Sequence, residues 1–64
     1  MITVNGKETP FADATVADLL ATLDVPDRGV AVAVDAEVVP KSEWGRFVVE
    51  DGAHVEVVTA VQGG

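Results

Sequence analysis

Short blocks of apolar and polar residues at the start of the chain predict a β-hairpin. Residues 1–4 are mostly apolar, and Asn5-Gly6 after them is the strongest two-residue signal for a hairpin turn. Residues 7–9 form the predicted return strand. Pro10 stops it, because proline lacks the amide hydrogen that a strand ladder requires.

A period of three to four residues then marks one helix. Four apolar side chains fall at i, i+3, i+4 and i+7 and form one face: Val16, Leu19, Leu20 and Leu23. Thr15 is a suitable N-cap, and Asp18 resembles the partner of a capping box and complements the positive helix end. We expect the leucines to face a sheet and the helix to end at Val25-Pro26, since a residue before proline avoids the α region.

Four further strands are predicted in the second half of the chain. Residues 30–34 form an uninterrupted apolar run, which suits a strand that is buried on both faces or lies at the sheet centre. Residues 37–39 pair back to it, and residues 46–49 form a short strand after a helical turn that buries Trp44. The last strand covers about residues 54–59, and its successive side chains point to opposite faces.

This order of elements predicts an α+β fold in a single domain over residues 1–64. A hairpin, one helix packed across it and the later strands give a mixed sheet of four to five strands, with the helix on one face. The last strand is most economically placed in the centre, beside the first. That arrangement is the β-grasp, or ubiquitin-like, fold.

Composition and charge limit the classes of function. The 64 residues, 48% hydrophobic and 23% charged, form one globular domain near the lower size limit for a self-sufficient core. Four basic and eleven acidic residues argue against a nucleic-acid partner and favour attraction to a basic protein surface. The absence of cysteine excludes a thiol nucleophile and thiolate metal sites. Without a signal-peptide pattern or a membrane-spanning run, we expect a cytoplasmic protein with no membrane partner.

The candidate catalytic and metal-binding residues have simpler explanations. His54 is the single histidine, and a histidine on a strand beside an acidic turn is ordinarily a solvated surface residue. Glu50 and Asp51 precede Gly52 as acidic residues do in a hairpin turn. The sequence contains no phosphate-binding loop motif. We therefore expect no catalytic residue, no metal ligand and no bound cofactor on this chain.

Packing within the fold does not explain the residues at the end of the sequence. Gly63 and Gly64 have no Cβ atoms, so they contribute neither packing nor order. We expect residues 60–64 to form a flexible tail that is thin enough to present its terminal carboxylate inside a narrow cleft of another protein. Val58 on the outward side of the last strand, with Ala60 and Val61, is a candidate docking segment, although a single exposed valine is also ordinary.

Two blocks of sequence carry a family resemblance. One covers residues 30–44, VAVAVDAEVVPKSEW, and the other covers residues 51–64, DGAHVEVVTAVQGG. The first resembles a strand, a turn, a Val-Val-Pro and a following Trp in the ThiS family, the sulfur carriers of thiamine thiazole synthesis. The second resembles the D-G-x-x-V-E-[IV]-V-x-A-V-x-G-G ending of that family. Together, at this spacing, the blocks are specific, and the resemblance covers essentially the whole chain.

The resemblance implies chemistry at the tail. An adenylating enzyme related to the E1 enzymes of ubiquitin activation would use ATP and magnesium to activate the Gly64 carboxylate. A sulfur donor, such as a cysteine desulfurase, would then leave a thiocarboxylate there, and thiazole synthase would take up this sulfur. Gln62 and Gly63 would thread through the partner's channel. The chain itself would be a protein cosubstrate rather than an enzyme.

Other functions share parts of this pattern. The small subunit of molybdopterin synthase has the same fold and tail, but it usually ends differently before its Gly-Gly. A ubiquitin-like modifier or a carrier for tRNA thiolation would use Gly64 in conjugation or in RNA sulfuration. A plain interaction domain would not use the tail at all. The Val-Val-Pro and Trp44 block favours the thiamine sulfur carrier.

Overall fold

The computed structural model describes residues 1–25 and 28–59, and this part of the chain forms two sheets and one α-helix. The elements are β1 (Ile2–Val4), β2 (Lys7–Thr9), β3 (Ala14–Thr15), α1 (Val16–Thr22), β4 (Val30–Val34), β5 (Glu37–Val39), a 3₁₀ helix (Lys41–Glu43), β6 (Val48–Val49) and β7 (His54–Thr59). The main sheet has the strand order β2-β1-β7-β4-β5, and β3 pairs with β6 in a separate two-stranded sheet.

The last strand occupies the centre of the main sheet, as the sequence predicts. β7 runs parallel to β1 on one side and antiparallel to β4 on the other. The two hairpins, β1–β2 and β4–β5, extend the sheet outward from these central strands. The predicted α+β architecture, a mixed sheet with one helix, is confirmed.

The core lies between α1 and one face of the main sheet, which we call the inner face. Its buried residues are Ile2, Val4, Val16, Leu19, Leu20, Val32, Val34, Val39, Trp44, Val49, Ala53 and Val55. Leu19 and Leu20 are buried and Leu23 is half-buried, whereas Asp18 and Thr22 are exposed, so the predicted apolar face of the helix is confirmed. The buried indole of Trp44 donates its Nε1 hydrogen to the backbone oxygen of Val39 at 2.9 Å.

The helix begins as predicted, and it ends earlier. Thr15 accepts a hydrogen bond from the Asp18 amide at 3.2 Å, and the Asp18 carboxylate accepts one from the Thr15 amide at 3.3 Å, which completes the capping box. The prediction that Val25-Pro26 ends the helix is wrong. Asp24 adopts a left-handed φ of 59° after Leu23, and its amide bonds to the Ala21 oxygen in a Schellman motif. The left-handed residue therefore terminates α1, and Pro26 lies outside the described residues.

The structure also differs from the prediction of a strand over residues 46–49. Only Val48–Val49 is extended, and it pairs with β3 rather than with the main sheet. The reason lies at the helix N-terminus, whose first amides have no partner within the helix. The Phe47 oxygen accepts the Val16 amide at 3.0 Å, and the Trp44 oxygen accepts the Ala17 amide at 3.0 Å. This segment caps the helix backbone instead of extending the sheet.

Strand β4 is an interior strand of the main sheet beside β7, in line with the second of the two placements predicted from its apolar run, but it is not buried on both faces. Val32 and Val34 point into the core, whereas Ala31 is exposed and Ala33 is half-buried. The alternation between valine and alanine gives the strand an inner and an outer side, even though every residue in it is apolar. The open side of this strand contributes to the candidate functional site.

Candidate functional site

The sheet face opposite the helix, which we call the outer face, carries Val58, the predicted docking residue that lies in the described part of the chain. Val58 stands opposite Ala31, and Val38 stands opposite Ala33. Val58 exposes 62% of its surface and Val38 exposes 72%. These four residues form an apolar area near the end of β7, which we call the outer patch.

The rest of the outer face is polar. Thr3 lies between Glu8 and His54 in the strand register, and its Oγ1 lies 2.8 Å from His54 Nδ1. Glu56 follows on β7, opposite Ala33. The outer face is therefore polar along β2, β1 and the start of β7, and it becomes apolar towards the end of β7.

The end of β7 is held from both sides. On the β4 side, strand pairing continues to Thr59, which stands opposite Val30. On the β1 side, the side chain of Asn5 donates from Nδ2 to the Val57 oxygen at 3.1 Å and accepts the Val57 amide at Oδ1 at 2.9 Å. Asn5 entered the sequence analysis only as a turn residue. Nothing in the sequence pairs it with a residue so far along the chain, so this contact was missed.

The remaining predicted site residues lie outside the described residues. These are Ala60 and Val61 of the docking segment, Gln62 and Gly63 of the threading segment, and Gly64. Their roles stay predictions. What the structure defines is the base of this segment, at Thr59.

A groove of about 290 Å³ lies at the other end of the domain and has an acidic lining that includes Asp35, Glu37, Glu50 and Asp51. The N-terminal ammonium of Met1 forms a hydrogen bond and ion pair with Asp51, and both effects hold the pKa of that carboxyl below its usual value. Among residues 1–25 and 28–59, no group of three or more histidines and acids is arranged to hold a metal ion. Within the same ranges, no helix has the length and apolar character needed to cross a bilayer.

Comparison with known sequences places the chain among thiamine biosynthesis proteins. The ThiS family model matches residues 2–64. The chain is 42% identical over 64 residues to thiazole synthase of Paramagnetospirillum magneticum, covering 98% of this chain but only 20% of that protein. It is 34% identical over 53 residues to the sulfur carrier protein ThiS of Escherichia coli, covering 83% of this chain and 80% of the relative.

Solved structures agree with the sequence comparisons. The crystal structure of the thiamine biosynthesis protein ThiS from Geobacter metallireducens superposes with a TM-score of 0.81 at 33% identity, covering 98% of this chain and 97% of that one. An NMR solution structure of a thiamine biosynthesis protein from the same organism gives a TM-score of 0.79, covering 98% and 86%. The chain belongs to the ThiS family, the β-grasp sulfur carriers of thiamine biosynthesis.

Proposed function

We propose that this chain carries sulfur as a thiocarboxylate on Gly64. The observation that carries the proposal is the family match over residues 2–64, which includes the Gly63-Gly64 ending. An E1-like enzyme activates the Gly64 carboxylate, a sulfur donor converts it, and thiazole synthase consumes the thiocarboxylate. The chain is then a cosubstrate of these enzymes, without an active site of its own.

The order of the chemical steps follows from the carboxylate itself. A carboxylate oxygen is a poor leaving group, so the E1-like enzyme first transfers AMP from ATP to Gly64 and releases pyrophosphate. The outer sulfur of the donor's persulfide then attacks the acyl carbon and AMP leaves, and a thiol reductant cleaves the S–S bond of the resulting acyl disulfide to release the thiocarboxylate. Magnesium on the enzyme balances the phosphate charge during the first step. The residues before the acyl carbon must fit narrow channels in two different enzymes, which favours glycine because it has no Cβ atom.

The folded body supplies the docking surface in this proposal. The outer patch is exposed and apolar, as the centre of a protein interface commonly is, and Glu56 beside it adds negative charge that suits a basic partner. Residues 60–64 span at most about 17 Å when fully extended. A partner that binds the outer patch must therefore place its reactive centre within that distance of the end of β7.

Thiazole synthase is proposed as the acceptor because the Paramagnetospirillum magneticum protein of that name contains a stretch that is 42% identical to this chain. The small subunit of molybdopterin synthase is the nearest alternative from the sequence analysis. It is disfavoured by the ThiS family match, which extends over both resemblance blocks, residues 30–44 and 51–64.

Intact-mass spectrometry tests the chemistry at Gly64. Incubation of the chain with the adenylating enzyme, ATP, magnesium and a sulfur donor should exchange one oxygen for sulfur. Gly64→Ala should fold with an unchanged unfolding midpoint but react more slowly, because the added methyl group obstructs the channel. The Escherichia coli relative serves as a positive control. An unchanged mass under conditions that thiolate that relative would contradict the proposal.

A charge placed in the outer patch tests the docking surface. Val58→Asp should weaken binding to the adenylating enzyme and to thiazole synthase by at least about tenfold, because the carboxylate loses hydration in an apolar interface. Val48→Asp is the matched control: Val48 is 50% exposed and lies on β6, outside the main sheet. Titration calorimetry measures both variants. Equal affinities for the two would show that the docking surface lies elsewhere, without affecting the chemistry proposed for Gly64.

A further inference from the structure

We propose that Asn5 is a positioning residue whose side-chain amide fixes the end of β7 and thereby the direction in which residues 60–64 leave the body. This inference rests on the proposed function, since it concerns delivery of Gly64 to the adenylating enzyme. It assigns to a hairpin residue a role beyond the turn.

The side chain of Asn5 extends the ladder between β1 and β7 by one step. The Thr3 amide donates to the Ala53 oxygen at 3.0 Å, and the Asn5 amide donates to the Val55 oxygen at 2.8 Å. The backbone then turns away at Asn5-Gly6 into β2, so it offers no group to Val57. A carboxamide carries the same donor and acceptor as a peptide group. The Asn5 carboxamide bonds to both the Val57 amide and the Val57 oxygen, two groups that in a longer parallel ladder would bond to two different residues of the neighbouring strand.

Two demands at this position together select asparagine. The hairpin turn requires the φ of 53° seen at Asn5, and glycine, asparagine and aspartate are the residues that best tolerate such angles. The contact with Val57 requires a donor and an acceptor on one short side chain. Aspartate supplies acceptors alone and glycine supplies neither. Asparagine meets both demands.

The second hairpin contains a matched contact at the other end of the same strand. Asp35 has a φ of 52°, and its Oδ1 accepts the His54 amide at 3.0 Å. His54 begins β7, whereas Val57 lies near its end. Substitution of Asp35 therefore removes a similar bond from β7 without touching the base of the tail.

The consequence for catalysis follows from the division between body and tail. Pairing with β4 keeps Val58 opposite Ala31, so the outer patch and its affinity for a partner should survive loss of the Asn5 contact. From Val57 onward, however, β7 would be held from the β4 side alone, so the end of the strand would move more about its pairs with Ala31 and Val30. The direction of the chain after Thr59 would then be less defined, and fewer docked molecules would deliver Gly64 to the reactive centre. We therefore expect the loss in kcat rather than in KM.

Adenylation kinetics on three variants test the inference. The assay is ATP–pyrophosphate exchange by the adenylating enzyme as a function of carrier concentration. Asn5→Gly, which keeps a favourable hairpin turn, should lower kcat about tenfold and change KM by less than about twofold. The kcat with Asn5→Asp should lie between the values for Asn5→Gly and the wild type, because aspartate keeps an acceptor for the Val57 amide. Asp35→Gly should leave kcat and KM within about twofold of the wild type.

Backbone NMR gives a readout that does not depend on the enzyme. Order parameters of Val57, Val58 and Thr59 should fall in Asn5→Gly and stay near the rigid value of about 0.85 in Asp35→Gly. The inference is overturned if these order parameters do not change in Asn5→Gly, if kcat stays at the wild-type value, or if Asp35→Gly lowers kcat equally. Absence of exchange with the wild-type chain would instead refute the proposed function, and the order parameters would still decide whether Asn5 holds Val57.

Discussion

Truncation of Leu20 tests the packing of α1 on the sheet. Leu20 exposes 4% of its surface, lies on the side of α1 that packs against the main sheet, and belongs to the single described core. Leu20→Ala removes the branched end of this side chain and leaves the helix backbone intact. Core truncations of leucine to alanine cost about 2–5 kcal/mol, and the near-complete burial of Leu20 argues for about 3 kcal/mol or more.

This loss is large compared with the stability of so small a domain. At about 0.05–0.15 kcal/mol per residue, a chain of 64 residues has a free energy of unfolding of about 3–10 kcal/mol. A loss of about 3 kcal/mol would lower Tm by roughly 12–24 °C, because each kcal/mol shifts a domain of this size by about 4–8 °C. The variant should be mostly unfolded at physiological temperature if the wild type lies at the lower end of that range.

Urea unfolding followed by circular dichroism measures the change. Thr22→Ala is the control: Thr22 is exposed on the other side of α1, and its Oγ1 donates to the Asp18 oxygen at 3.0 Å. We expect Thr22→Ala to change stability by no more than about 0.5 kcal/mol. If Leu20→Ala does not fold, Leu20→Met replaces it in the test. Methionine keeps most of the side-chain volume, so the free energy of unfolding should fall by less than about 1.5 kcal/mol. The packing described would be refuted if Leu20→Ala lowered the free energy of unfolding by less than about 1 kcal/mol. It would also be refuted if Leu20→Ala and Thr22→Ala lowered it equally.

Two further predictions concern turns and pH. Ala36 has a φ of 71°, so Ala36→Gly should raise the free energy of unfolding by about 0.5–1 kcal/mol. Asp24→Gly should raise it less, since aspartate tolerates such angles better than alanine. A urea midpoint that falls in either variant would contradict this prediction. Asp51 has a lowered pKa in the folded state, so its ion pair with Met1 stabilises the fold above about pH 4 and is lost as pH falls further. The difference in urea midpoint between wild type and Asp51→Asn should therefore be present at pH 6 and shrink steadily as pH falls below about 4, with Glu50→Gln as the neighbouring charge control.

Features with a local physical cause were predictable from the sequence. The helix face follows from the spacing of Leu19, Leu20 and Leu23, and the capping box depends on two residues three positions apart. The first hairpin follows from Asn5-Gly6 in the same way. These features need no information about distant parts of the chain, and the structure confirms them.

The central place of β7 beside β1 was predicted from the order of elements, but other features set by contacts between distant segments were not. β3 and β6 are two residues each, too short for any periodic signal. Residues 44–49 lie outside the main sheet, and their Trp44 and Phe47 oxygens accept amides at the start of α1. Of the four residues of the outer patch, the sequence pattern indicated Val58 alone. Ala31 and Ala33 were hidden within an apolar run, because hydropathy does not show which side of a strand is covered.

The placement of Asn5 and of the outer patch suggests how one carrier serves two enzymes in the proposed function. Both enzymes must receive the same residues 60–64, so any feature that fixes the base of the tail acts on adenylation and on sulfur transfer alike. The outer patch is different, since each enzyme can contact its own subset of these side chains, and Val38 and Val58 lie on different strands. In the proposed function, substitutions in the patch other than at Val58 can therefore separate the two partners, whereas loss of the Asn5 contact should lower the efficiency of both.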